Sequence, residues 1–492
     1  MKLVINNKSF HYEIEKLCRI FFPNEKIKVV YFNDEKFDDI IVSVNENIIK
    51  DKKELSVIVS YYGEIKKSNI IISEDTFDDT IRLLAEMIFK ILCELTGVIP
   101  KWGVLTGIRP IKLIRRIVSE YKDEFKAEKY FKEKLLVSNE KTKLALNIMH
   151  KEQQILDLSK KQSFSLYVSI PFCPSRCSYC SFVSHSIDKA HKLIPEYLSL
   201  LLKEIEKTAE IAHKLKLKLE TVYIGGGTPT TLNSEDLGNL ICKIKECFDI
   251  NSCREFTVEA GRPDTITKEK LLSIKENIDK RILRISINPQ TFNDEVLNEI
   301  GRKHTAKQSI ETFELARNLG FKNINMDMII GLPKDSYNSF KKSINKLCNL
   351  SPEGITIHTL SMKRSSNLTA QHKKLYAFEC ELASEMWNYA YLKLYNNGYL
   401  PYYLYRQSKM LGNLENTGFS KLNYEGLYNV YVMDETHTIL ACGAGAVTKL
   451  KSQLTGKIER IYNYKHPYEY IYDFDKLIER KKGVIKFYDE CF

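Results

Sequence analysis

The chain has 492 residues, 43% hydrophobic and 28% charged, with a formal net charge of +11. That is the composition of a soluble globular protein of about three domains. No apolar run approaches the roughly 18 residues of a membrane span. The start, MKLVINNKSF, lacks the apolar core of a secretory signal, so a cytoplasmic protein is expected. The lysines are spread out with no run of five, which reads as a solvated basic surface.

Residues 1 to about 75 alternate short β-rich runs with polar turns, at Lys2–Ile5, Ile27–Phe32, Ile40–Val44, Leu55–Tyr61 and Ile70–Ile72. They predict a small, mainly antiparallel sheet. Apolar residues at Phe77, Ile81, Leu84, Ile88, Ile91 and Leu95 then predict an amphipathic helix, with Gly97 at its end. In WGVLTGIRP (102–110), Gly103, Gly107 and Pro110 punctuate a turn before a helical pattern at Ile111–Val118. Arg109 in this turn fits an anion contact or an ordinary surface residue. Residues 123 to 160 are charged and helical.

From Leu166 strands alternate with helices. Strands are predicted at Leu166–Ile170, Thr221–Ile224, Glu255–Glu259, Ile282–Ile287, Ile324–Ile329 and Ile355–Leu360. Helices such as Lys192–His213, Glu235–Cys247 and Lys307–Leu319 fall between them. Six successive βα units predict a parallel sheet, curled by right-handed crossovers into an open barrel. Pro171 ends the first strand because proline has no N–H to give a ladder. The residues after it therefore form a loop at the C-terminal end of a strand, where α/β folds bind ligands.

That loop carries Cys173, Cys177 and Cys180 in a CxxxCxxC spacing. Three thiolates there suit three irons of a [4Fe–4S] cluster and leave one iron open to a reactant. The spacing alone leaves two other readings open: a zinc site with His185 as fourth ligand, and three free thiols. The other nine cysteines are scattered and read as buried thiols. After the second strand comes GGGTP (225–229), whose glycines let a backbone approach a ligand and expose its N–H groups. Glu259 ends the third strand. Gln290 follows the fourth in SINPQTF, Arg302 lies in IGRKHT, and Asp327 lies in NMDMIIGLP.

CxxxCxxC followed one βα unit later by GGGTP resembles the radical SAM family. Residues 165 to about 365 resemble its oxygen-independent coproporphyrinogen III oxidase (coproporphyrinogen dehydrogenase) group. TGIRP, YYLYRQ (402–407), GNLEN (412–416) and CGAGA (442–446) resemble the HemZ-type branch, so the resemblance covers most of the chain. It implies an α/β fold: a partial (β/α)6 barrel at 161–365, an N-terminal α+β domain with a helical linker at 1–160, and a C-terminal α+β extension at 366–492. It implies a [4Fe–4S] cluster on Cys173, Cys177 and Cys180. It also implies S-adenosylmethionine (SAM) held by Tyr167, Tyr179, Gly226, Gly227, Thr228, Glu259, Gln290, Arg302 and Asp327, with no catalytic residue beyond these two sites.

The implied activity is oxidative decarboxylation of coproporphyrinogen III to protoporphyrinogen IX in heme biosynthesis. The implied partners are a tetrapyrrole substrate and an electron donor such as flavodoxin or ferredoxin. The well-characterised oxidases carry a further cysteine two residues after the third. Here that residue is Phe182, a lack shared by heme-chaperone relatives and the HemZ-type branch.

Two other functions compete with this one. A heme carrier would use histidines such as His358 and His437 as iron ligands, although a lone histidine is more often structural. An RNA-modifying radical enzyme would need a nucleic-acid surface, and no aromatic RNP-type string or basic stripe supplies one. For the enzyme reading, a substrate with four propionates calls for a basic pocket. Lys363, Arg364, Arg406 and Lys409 are its candidate partners.

Overall fold

The computed structural model describes residues 1–23, 25–31, 38–49, 52–73, 76–180, 185–361 and 376–491. Phe182, Lys363 and Arg364 lie outside the described residues. The chain forms two compact units. One comprises Met1–Met149, Ser361–Ser384 and Tyr405–Glu415, and the other His150–Leu360, Glu385–Leu404 and Asn416–Phe492. Residues after 365 thus build into both units rather than forming a third body.

In the first unit, β1 (Lys2–Ile5), β2 (Lys28–Val30), β3 (Ile40–Ile49), β4 (Lys52–Tyr61) and β5 (Glu64–Ile72) form one sheet in the order β2-β1-β3-β4-β5. β3, β4 and β5 make the expected antiparallel meander. β1 runs parallel to both its neighbours. The reason is a helix at His11–Phe21 that returns the chain between β1 and β2. Its signal was present: Ile14, Leu17, Cys18 and Phe21 follow the helical repeat, and all are buried. The helix Phe77–Thr96 packs on β4. The Thr76 hydroxyl caps it by accepting from the Asp79 N–H at 3.2 Å, and Gly97 ends it in the left-handed region.

The strings TGIRP, YRQ and GNLEN meet inside this unit. Arg406 is buried and donates to the carbonyls of Leu105 (2.8 Å) and Gly107 (3.3 Å). Its guanidinium lies 5.6 Å from the Trp102 ring centroid. The Trp102 indole donates to Glu415 at 2.7 Å, and the Lys141 ammonium meets the same carboxylate at 2.6 Å. Arg406 is thus a structural clasp, which corrects its candidacy as a propionate partner. Lys409 is half-buried. Arg109 is half-buried at the N-cap position of the helix Pro110–Tyr121.

The second unit is built on one sheet. In chain order its strands are β6 (Ser163–Ile170), then β9 (Lys218–Gly226), β10 (Glu255–Ala260), β11 (Leu283–Gln290), β12 (Ile324–Ile330), β13 (Gly354–Thr359), β14 (Leu400–Tyr405), β15 (Asn416–Ser420), β16 (Thr438–Cys442), β17 (Val447–Lys451) and β18 (Ile458–Tyr462). Between β6 and β9, the two-residue strands β7 (Phe172–Cys173) and β8 (His185–Ser186) pair with each other. The sheet order is β14-β15-β13-β12-β11-β10-β9-β6-β16-β17-β18. The six strands from β6 to β13 are mutually parallel, the partial (β/α)6 barrel. The C-terminal segment extends both sides: β15 joins β13 antiparallel, and β16 joins β6 parallel.

Strict alternation positions the site. In SFSLYVSI, Phe164, Leu166, Val168 and Ile170 are buried apolar residues of one face. Ser165 and Tyr167 point the other way, where Ser165 meets Thr221 of β9 at 2.7 Å. Later strands repeat the pattern, with Glu259, Ser286, Asn325, Asp327 and His358 on the polar face. The barrel is therefore apolar outside, against its helices, and polar inside. The helix Leu427–Asp434 is anchored at the start of β10, where Glu255 accepts from the Leu427 N–H at 2.7 Å. At the other extension, CGAGA is a latch. Gly443 has φ +95°, and a Cβ there would sit 2.5 Å from the Ser169 carbonyl. Its N–H donates to buried Glu204 at 2.7 Å, which also holds Tyr470 (2.6 Å) and Lys481 (2.9 Å).

Candidate active site

Cys173, Cys177 and Cys180 stand on the loop that follows β6, with Cys177 the buried one. The loop is tied down through its backbone. The Cys180 N–H donates to the Cys177 carbonyl at 3.2 Å, and the Ser178 N–H to the Ile300 carbonyl at 3.1 Å. GGGTP lies directly against it. The N–H groups of Gly227 and Thr228 donate to Ile170 and Phe172 at 2.8 Å each. A Cβ on Gly227 would meet the Phe172 carbonyl oxygen at 2.4 Å and the Cys173 sulfur at 3.0 Å, so only glycine lets this turn approach the cysteine loop. Among the described residues no three His, Cys, Asp or Glu side chains converge on a single-ion site. A cubane is held corner by corner, one thiolate to each iron. The His185 ring, the possible zinc ligand, has its Nε2 3.2 Å from Nδ1 of His466.

Beside this loop, Arg302 is buried and spends most of its donors on protein. Nη1 donates to the Asn288 carbonyl (2.6 Å) and the Gly261 carbonyl (3.2 Å), while Nε and Nη2 donate to the Tyr179 hydroxyl (3.2 and 3.0 Å). The arginine and Tyr179 are therefore one unit, and burial raises the phenol's pKa. Gln290 follows a bulge in β11 and has φ +68°. Its buried Oε1 finds no partner among the described residues, an acceptor kept for a ligand.

Inside the barrel, Tyr167, Tyr223 and Tyr428 stack. Their centroids are 6.2 Å apart for Tyr167–Tyr223, 6.3 Å for Tyr167–Tyr428 and 4.6 Å for Tyr223–Tyr428. The Tyr223 hydroxyl donates to Glu259. Burial pushes the Glu259 carboxyl up to about 7, against the pull of that hydrogen bond, and nearby Asp327 adds to the rise. Asp327 goes the other way. Burial works against its charge, but His358 (3.5 Å) and Asn325 (2.8 Å) hold its carboxyl below the usual range. The two carboxylates are thus driven apart in acidity, the pattern of a site that meets both polar and cationic groups.

The structure brings together the cysteine loop with Gly227 and Thr228, Tyr179 with Arg302, and Tyr167 with Glu259. His437 is corrected. It is fully buried, its Nδ1 and Nε2 are held by Ser159 (2.7 Å) and Ser165 (2.8 Å), and burial depresses its pKa to about 3. It belongs to the packing of β16. Tyr223, Tyr428 and Arg262 were not read from the sequence. For Tyr223 the alternation of β9 was a usable signal. The buried Gln290 acceptor and the cradle at Gly227 fit a polar ligand beside a cluster held on this loop.

The radical SAM superfamily model matches residues 167–347. The chain is 35% identical over 99% of its length, and 97% of the relative's, to the oxygen-independent coproporphyrinogen-III oxidase-like protein HemZ of Bacillus subtilis. It is 34% identical to the heme chaperone HemW of the same organism, over 57% of this chain and 70% of that one. Among solved structures, coproporphyrinogen III oxidase (HemN) from Escherichia coli superposes with a TM-score of 0.51 at 21% identity, over 67% of this chain and 72% of that one. The fold is thus shared with that radical SAM enzyme. The superfamily's cofactors, a [4Fe–4S] cluster and SAM, are those of this chain. Its full-length match makes it a member of the radical SAM superfamily, in the HemZ-type branch of the oxygen-independent coproporphyrinogen III oxidase family.

Proposed function

We propose that the chain oxidatively decarboxylates two propionates of coproporphyrinogen III to the vinyl groups of protoporphyrinogen IX. The observation that carries this reading is the similarity to the oxidase-like relative along nearly the whole chain. In it, Cys173, Cys177 and Cys180 hold the cluster. Tyr167, Tyr179, Gly226, Gly227, Thr228, Glu259, Gln290, Arg302 and Asp327 bind and orient SAM. When bound, cluster and SAM supply a 5′-deoxyadenosyl radical that takes one hydrogen from a propionate β-carbon. The substrate then loses CO2 and one electron, so each vinyl group needs a one-electron acceptor as well as a low-potential donor of the flavodoxin or ferredoxin kind. The residues of the chain orient these partners and keep water out.

The decisive experiment is anaerobic turnover of the reconstituted protein with SAM, reductant and coproporphyrinogen III. Two 5′-deoxyadenosines per protoporphyrinogen are expected. SAM cleavage without loss of CO2 would sink the reading. The second reading, a heme-binding chaperone, is favoured by the similarity to HemW. It predicts stoichiometric heme binding without turnover, although His437 is no longer available to it as a ligand.

The SAM assignment has its own test. A hydrogen bond to a charged group contributes about 1.5–3 kcal/mol, so Asp327→Ala and Arg302→Ala should each weaken SAM binding roughly ten- to a hundredfold in equilibrium dialysis. Unchanged affinity in both would remove these residues from the SAM site.

A further inference from the structure

Directly after β10, the sequence Gly261-Arg262-Pro263-Asp264 turns back over the cysteine loop. Arg262 is almost completely buried. Asp264 grips one side of its guanidinium, from Nε at 3.2 Å and Nη2 at 3.3 Å. Fully buried His304 backs Asp264, with its Nδ1 3.7 Å from the carboxylate. The other side of the guanidinium reaches the loop between the first two cysteines. Nη1 donates to the Ser175 carbonyl at 3.2 Å, and Nη2 to the Ser175 hydroxyl at 2.9 Å. Nη1 also points at the Cys177 sulfur, 3.5 Å away.

So a fixed positive charge with an N–H donor faces the sulfur of the buried cysteine of the three. An N–H donor on a ligating sulfur draws charge from it, which favours the more negative, reduced state of an iron–sulfur cluster. A carboxylate that fixes the guanidinium keeps this donor in place without ligating anything itself, as outer partners of metal ligands do.

We propose that Arg262 is a positioning residue that raises the reduction potential of the cluster through Cys177, with Asp264 and His304 holding it in register. The role rests on the reading of Cys177 as a cluster ligand. Its effect is on a one-electron step: the donor gives one electron to the cluster, and the guanidinium stabilises the added negative charge.

The test is an anaerobic redox titration of the reconstituted full-length protein, with dithionite as reductant and the reduced cluster read by electron paramagnetic resonance. SAM and tetrapyrrole are left out, so the readout is independent of turnover. Arg262→Met should shift the midpoint potential to more negative values with four irons still bound. Arg262→Lys, which keeps the charge and loses the fork, should shift it less. Ser175→Ala removes one tie between Arg262 and the loop but leaves the N–H···S contact, and should leave the potential unchanged.

The parent potential in both Arg262 variants would overturn the proposal. So would an equal shift in Ser175→Ala, because the effect would then belong to the loop's shape. If Arg262→Met binds fewer than four irons, Arg262→Lys decides by the same criterion. A full cluster in Cys177→Ala would overturn the ligand reading itself, and the role of Arg262 with it.

Discussion

Replacing Cys173, Cys177 and Cys180 together with alanine should abolish the brown colour, the bound iron and all SAM cleavage. In the proposed reading these three thiolates hold the cluster, and a cubane left with no cysteine has no covalent hold on the protein. The loop is otherwise secured by backbone hydrogen bonds, such as Ser178 N–H to the Ile300 carbonyl. The triple variant should therefore keep its secondary structure by circular dichroism, and the loss should be one of chemistry rather than folding. Iron analysis after anaerobic reconstitution measures it. Four irons per chain in the triple variant would show that the cluster is held elsewhere, and every role assigned around this loop would have to be redrawn.

Lys141→Met should cost about 3–5 kcal/mol of stability, the usual effect of leaving one partner of a buried ion pair without the other. Lys141 and Glu415 are both almost completely removed from solvent and meet at 2.6 Å. Burial depresses the Lys141 pKa, with Glu415 acting in opposition. The variant leaves the carboxylate beside the Trp102 indole but without the Lys141 ammonium. Trp102 reports directly on this neighbourhood, so urea unfolding followed by tryptophan fluorescence is a suitable measurement. A domain is typically stable by only about 5–15 kcal/mol, which makes the loss easy to see. Adding Glu415→Leu should recover part of it, because the carboxylate stripped of Lys141 is then gone, while buried Arg406 loses the charge of that carboxylate. A loss below about 1 kcal/mol in the single variant would mean that water or another group already compensates Glu415.

The barrel was legible because its signals are local. Pro171 closes β6, six runs of alternating character recur at βα spacing, and polar site residues such as Glu259 and Gln290 sit near a strand's end. The observed strands match those runs to within a few residues. What was not legible depends on contacts between distant parts of the chain. TILAC reads as any short apolar run, and nothing local says that Leu440 lies opposite Leu166. Whether His437 was a ligand or structural was not decided locally, because its partners Ser159 and Ser165 are far away in sequence. Arg406 stood as a candidate propionate partner because the carbonyls it donates to, those of Leu105 and Gly107, are far away in sequence. Arg262 hid in an ordinary turn, since only the folded loop brings the Cys177 sulfur to it.

β6 is flanked on one side by β9 and on the other by β16. The tie between Ser165 and His437 spans 272 positions of the chain. A ribosome makes the chain from its N-terminus, so the cysteine loop emerges long before its strand gains a second neighbour. Throughout that interval β6 presents an unpaired edge, the kind of surface on which nascent chains stick to one another. In the proposed reading, delivery of iron and sulfide to a finished site therefore has to wait until the chain has been made through β16.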